Sequence, residues 1–149
     1  MAYRTRSIDR IFHWPAQAAA GLIVSVVIAE SLLALSLLFG AQEHLLWAVT
    51  RPAASATSVP AQLAVIWLLA SLAGSSLAAT LGGNMSAGLP AGVVPAASLA
   101  LIGWYFRQPT SLISILMAGP LVGCVLGIIG ARTLRRRDAK TASTHNAEI

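Results

Sequence analysis

Charge is the first thing this chain lacks. Charged residues make up 10% of its 149 positions, against about 25% in soluble domains. From Ile11 to Ala131 the full charges are Glu30, Glu43, Arg51 and Arg107 and no others. So few charges cannot cover a water-exposed surface, which excludes an ordinary soluble domain. Cysteine is almost absent as well. A lone Cys124 rules out an internal disulfide, a CxxC pair and a cysteine zinc site. There is no HExxH pattern, no Ser-His-acid set at membrane depth, no carboxylate pair and no glycine-rich phosphate loop. The chain is therefore not expected to be an enzyme, and no metal or cofactor is expected, with bound lipid left open. His13 and His44 flank opposite ends of the first apolar stretch, so they do not form a pair around one haem and read as interfacial polar residues. The net charge of +5 and the pI near 10.7 would raise nucleic acid as a partner, but no aromatic-basic platform accompanies the arginines, and none is expected.

What the chain has instead is apolar length. Hydrophobic residues reach 56% and the mean hydropathy is +0.74. About 20 mostly apolar residues cross a hydrocarbon core of roughly 30 Å as a helix. Four stretches qualify, at about 15–39, 62–81, 87–106 and 111–131. The first is longer than the apolar core of a cleaved signal peptide. Pro15 opens it at a tolerated first-turn position. Pro90 and Pro95 interrupt the third, the weakest of the four, and Pro120 lies near the middle of the fourth. The expected fold is all-α, a four-helix transmembrane bundle in one domain over residues 15–131. Residues 1–14 form a basic N-terminal segment and 132–149 a basic tail expected to lack regular structure. Residues 40–61 form an outer loop, in which 42–49 have the composition of a short interfacial helix and 51–60 that of a linker.

Eight of the ten Lys and Arg residues lie in the first ten and last eighteen positions. Positive charge in short flanking segments stays on the cytoplasmic side. Arg4, Arg6 and Arg10 precede the first span, and Arg132, Arg135, Arg136, Arg137 and Lys140 follow the last, so both termini are expected to be cytoplasmic. The arginine cluster at 132–137 serves orientation, or binds anionic lipid headgroups at about 1 kcal/mol per residue. Trp14, Trp47, Trp104 and Tyr105 fall near span ends, the depth amphipathic rings prefer.

Lipid tails are as apolar as leucine, so helices in a membrane join by close packing, which small residues permit. Gly119, Gly123 and Gly127 form a double GxxxG in the fourth span, continued by Ala131. Ala70, Gly74, Ala78 and Gly82 repeat that spacing in the second span. Gly88, Gly92, Ala96 and Ala100 do so in the third, and Gly21, Ser25 and Ala29 in the first. These small-xxx-small grooves serve packing within the bundle or docking of another subunit.

One residue is chemically out of place. A carboxylate near the bilayer centre costs about 2.5–3.5 kcal/mol on insertion scales, and such residues are usually functional. Glu30 lies well inside the first span, and no Lys, Arg or His lies in any span to neutralise it. Counted by depth, Ser71 and Ser98 fall near its level, together with Pro120, and a small buried polar layer of Glu30 with a serine hydroxyl is expected. Glu30 is then neutral and hydrogen-bonded between helices, faces a water-filled path, or meets a cation from another subunit.

The Ala29-Glu30 step resembles one in the first span of the small multidrug-resistance exporters, which are four-helix proteins. The likeness covers little beyond the dipeptide, and the long outer loop, basic tail and proline-broken third span depart from that family. The resemblance implies proton-coupled transport, with Glu30 as the coupling carboxylate of a small oligomer. The absence of catalytic sets and of extramembrane mass, with the abundance of groove-forming residues, leads to the first expectation. That is a non-enzymatic accessory or structural subunit of a larger complex, multi-pass in the inner membrane, with lipids and other membrane-protein subunits as partners.

Overall fold

The computed structural model describes the backbone of residues 5–39, 50, 58–82 and 85–145, and the side chains of 13–39, 50, 58–81 and 85–137. The expected interfacial segment at 42–49 lies outside the described residues, as does most of the linker after it. Among the described residues the fold has four long helices and one short turn: α1 (Thr5–Leu38), α2 (Val59–Gly82), a 3-10 turn (Met85–Gly88), α3 (Pro90–Tyr105) and α4 (Thr110–His145). No strand occurs among the described residues. Within them, His13–Leu38, Val59–Leu81, Met85–Tyr105 and Thr110–Arg137 are long and apolar enough to cross a membrane. Four such helices point to a multi-pass membrane protein.

Two helices run past the expected spans. α1 begins at Thr5, so Pro15 lies inside it rather than in its first turn. α4 continues through the arginines to His145, where a tail without regular structure was expected. Extending a helix costs far less than nucleating one, and Arg, Ala, Leu and Lys are good helix formers, so each apolar span carries its flank along. α3 behaves in the opposite way. Pro90 takes its first position, where the missing N–H is not needed. Its 16 residues rise only about 24 Å. The preceding 3-10 turn completes the distance across the bilayer.

The turn from α3 to α4 closes the end of α3 in two bonds. The Gln108 N–H reaches the Gly103 carbonyl at 2.9 Å and the Arg107 N–H the Trp104 carbonyl at 3.0 Å. This is the Schellman pattern, whose left-handed position usually holds glycine. Here Arg107 occupies it at φ 51°.

Side-chain pairings fix the topology. A side chain placed on Gly119, Gly123 or Gly127 of α4 would run into the backbone of Ala64, Leu68 or Leu72 of α2, in that order. The pairing advances in step along both helices, so α2 and α4 run parallel. Gly21 and Gly74 meet between α1 and α2, which are antiparallel, and Gly92 meets Cys124 between α3 and α4, also antiparallel. α2 and α4 share the most extensive interface, followed by α1 with α2 and α3 with α4. The bundle is filled differently at its two ends. Leu33, Leu63, Leu99, Leu112 and Leu116 cluster with Trp67 toward the end bearing the α3–α4 turn. Toward the α2–α3 end, Ser25, Ser75, Ala78, Ala91 and Cys124 are buried among the glycines. Small side chains let the helices approach closely there, while leucines fill the other end.

Candidate functional site

Glu30 is exposed, on the outer side of α1. The buried side of that helix carries Ala18, Gly21, Ser25, Ala29 and Leu33. One residue on from Ala29 is a rotation of about 100°, which turns Glu30 away from the bundle. Its neighbours one and two turns away, Ile23, Val26, Val27 and Leu37, are exposed as well. Ser71 of α2 is fully buried, and its Oγ has no hydrogen-bond partner. Ser98 of α3 is exposed and donates its hydroxyl proton to the Val94 carbonyl of its own helix at 2.9 Å. The three residues expected in one buried polar layer therefore occupy two environments, with Ser71 inside and Glu30 and Ser98 on the outer surface. A second buried donor without a partner, Trp67 Nε1, lies one turn before Ser71 on α2.

The polar chemistry inside the bundle serves the proline-broken third span. Pro95 has no N–H to offer the Ala91 carbonyl one turn earlier. Ser25 of α1 supplies the missing donor, its Oγ bonding the Ala91 oxygen at 3.1 Å in a buried setting. At the start of α3 the Gly92 N–H turns to the Leu89 carbonyl at 3.1 Å. The Gly88 oxygen takes the Ser75 hydroxyl of α2 at 2.9 Å and the Cys124 thiol of α4 at 3.5 Å. One buried donor from each of the other three helices thus holds the segment from Gly88 to Ala91. Sequence reasoning gave Cys124 and Ser25 packing roles and missed these bonds. The signal was present, since any helical proline orphans the carbonyl four residues before it.

Arg135 makes a contact within the chain. Its Nη2 donates to the Thr80 carbonyl at 2.9 Å, in the last turn of α2. The carbonyls there lack helical partners, and a cation opposes the negative end of the helix dipole. Arg132, Arg136 and Arg137 are exposed, while Arg135 is half-buried. On the other side of the same connection, Trp14 Nε1 donates to Ser86 Oγ at 3.0 Å. Among the described residues no three His, Cys, Asp or Glu side chains gather as a metal site would require. His13 is exposed and His44 lies outside the described residues. Compared with models of known families, with curated proteins and with solved structures, the chain finds no match in any of the three.

Proposed function

We propose that this chain is a non-enzymatic subunit of a larger inner-membrane complex, with both basic ends in the cytoplasm and Arg132, Arg136 and Arg137 among anionic headgroups. One observation carries the reading: α1 is packed on one side only. Of its most apolar window 22% is buried, against 39–44% for the other three spans. The uncovered side presents the Glu30 carboxylate. Ionisable groups at membrane depth almost always face protein or water rather than lipid, because hydrocarbon penalises them by several kcal/mol. A helix left half bare along its apolar side is what a subunit looks like without its neighbour. The small-residue faces, by contrast, are used within the chain, so the double GxxxG of α4 acts as internal packing in this reading.

The same outward carboxylate also supports a second reading, an oligomeric proton-coupled transporter in which copies of the chain enclose Glu30. Purification from native membranes in mild detergent separates the two. The accessory reading expects other membrane proteins at fixed stoichiometry through two orthogonal affinity steps and a sizing step. Particles whose mass is a simple multiple of 15.4 kDa would overturn it. Loss of proton-dependent flux in Glu30→Gln vesicles would then establish the transporter.

A further inference from the structure

We infer that the outer face of α4 seats one phospholipid with an anionic headgroup, its phosphate held by Arg132 and Arg136 and its acyl chain laid along Leu121, Val125 and Ile129. The inference rests on the reading above in one respect, that the arginine-bearing end of α4 lies among headgroups. It adds which arginines bind, on which face, and that together they hold a single lipid. Four residues apart, Arg132 and Arg136 stack on one side of the helix. Both are exposed, and neither has a hydrogen bond or ion pair among the described residues. Like charges so placed repel, and an anion between them relieves that cost. Arg135 differs, since its guanidinium is committed to the Thr80 carbonyl. That bond and the glycine ladder fix how α4 is rotated. Ala131 is buried and continues the ladder. Arg132 and Arg136 are turned from it by about 100° and 140°. Leu121, Val125 and Ile129 are exposed and fall within about 60° of Arg132 around the helix. The apolar stripe and the arginine pair therefore form one continuous face.

Length and charge name the occupant. From Leu121 to Arg132 the helix rises about 16 Å, which matches one leaflet, half of a hydrocarbon core of roughly 30 Å. A phospholipid has the same plan, a charged head above chains one leaflet long. At the deep end of the stripe α4 has a shallow recess of about 250 Å³ between Leu121, Val122, Val125 and Leu126, placed to take the end of a chain. Guanidinium forks bind phosphate oxygens in pairs, and two of them carry more positive charge than one phosphate balances. A zwitterionic headgroup would bring an ammonium of its own to the arginines, so a net-negative headgroup is the better complement.

The test uses the full chain in phosphatidylcholine nanodiscs that hold a minor fraction of phosphatidylglycerol with a photoreactive diazirine in its acyl chain. Label is expected to concentrate on residues 121–132 of α4 over the equally exposed Ile23 of α1 and Val93 of α3. A phosphatidylcholine probe with the same chain is expected to label the three helices alike. Arg132→Gln combined with Arg136→Gln is expected to raise the probe fraction needed for half-maximal label about thirtyfold, as about fivefold for each arginine. Both side chains are exposed, so the double variant leaves the internal packing intact. Arg4→Gln with Arg6→Gln removes the same charge from the other basic end and is expected to change nothing. Even label over the three helices, or wild-type titration of the Arg132 and Arg136 variant, would overturn the inference in favour of ordinary boundary lipid. Equal loss in both double variants would overturn it in favour of a diffuse charge effect, and competition by inorganic phosphate in favour of a free anion. Capture of a protein by a photo-crosslinking residue at Val125 in native membranes would give the face to that protein instead. None of these outcomes overturns the accessory reading, which is decided by the proteins that copurify.

Discussion

At the scale of single residues, the polar side chains divide by whether they have somewhere to send a hydrogen bond. Ser25, Ser75 and Cys124 each serve a carbonyl of the third span, whereas the Ser71 hydroxyl is buried with no partner. A buried polar group left unbonded costs about 1–3 kcal/mol, so its removal does not weaken the fold. Ser71→Ala is therefore expected to leave thermal stability in detergent unchanged, or to raise it by up to about 1 kcal/mol. A loss larger than that would mean the hydroxyl has a partner after all, as an exchange with Glu30 would require. The direction of Glu30 was within reach of the sequence. Gly21, Ser25 and Ala29 already define the packing groove of α1, and the residue after Ala29 points about 100° away from it. Depth alone grouped Glu30 with Ser71 and Ser98, because counting residues along a span gives level but not azimuth.

At the scale of elements, the third span shows how a proline-rich segment crosses the bundle. Pro90 starts α3, the 3-10 turn supplies the missing length, and the carbonyl orphaned by Pro95 is satisfied from α1. Hydrogen bonds between membrane helices are worth on average about 0.6 kcal/mol and up to about 1.7. Ser25→Ala is expected to cost more than that average, about 1 kcal/mol, because it leaves a buried carbonyl without a donor. In a Pro95→Ala background the restored N–H can serve Ala91, so the same Ser25→Ala change is expected to cost less than half as much. Equal costs in the two backgrounds, measured by unfolding in detergent, would detach Ser25 from the proline. The glycine ladder of α4 makes a separate demand, since a side chain at Gly123 would meet the backbone of Leu68. Gly123→Leu is expected to cost at least the 1–3 kcal/mol typical of overpacking, read as a lowered melting temperature of the purified chain. The four spans and their small-residue stripes were legible because apolar length and four-residue spacing survive in the sequence as plain patterns. Helix ends were not. A nucleated apolar helix carries polar flanks with it, and nothing local announces that α1 takes in residues 5–14 or that α4 takes in residues 132–145.

At the scale of the whole molecule, two contacts set which ends lie together. Trp14 near the start of the first span bonds Ser86, and Arg135 past the end of the fourth bonds Thr80, so both meet the α2–α3 connection. The first span thus enters, and the fourth leaves, at the same end of the bundle. The Arg107 turn lies at the other end. That arrangement agrees with the distribution of charge, since eight of ten Lys and Arg residues are in the flanks of those two spans. A shift of α4 along α2 is opposed by the Arg135 bond at that end and by the glycine ladder along the interface. Orientation in the membrane can then be tested by labelling. In a Cys124→Ala background, single cysteines at Ser7 and at Thr141 are both expected to react with an impermeant thiol reagent only after the cytoplasmic side is opened. A cysteine at Gln108, beside the turn at the far end, is expected to react in intact cells if the reagent can reach its largely buried position, and Pro109→Cys, at an exposed neighbour, provides the readout if it cannot. Labelling of Ser7 and Thr141 positions from opposite sides would require an odd number of crossings. The α2–α3 end could then no longer be shared by the basic flanks, and the pairing of Arg135 with Thr80 would fall with it.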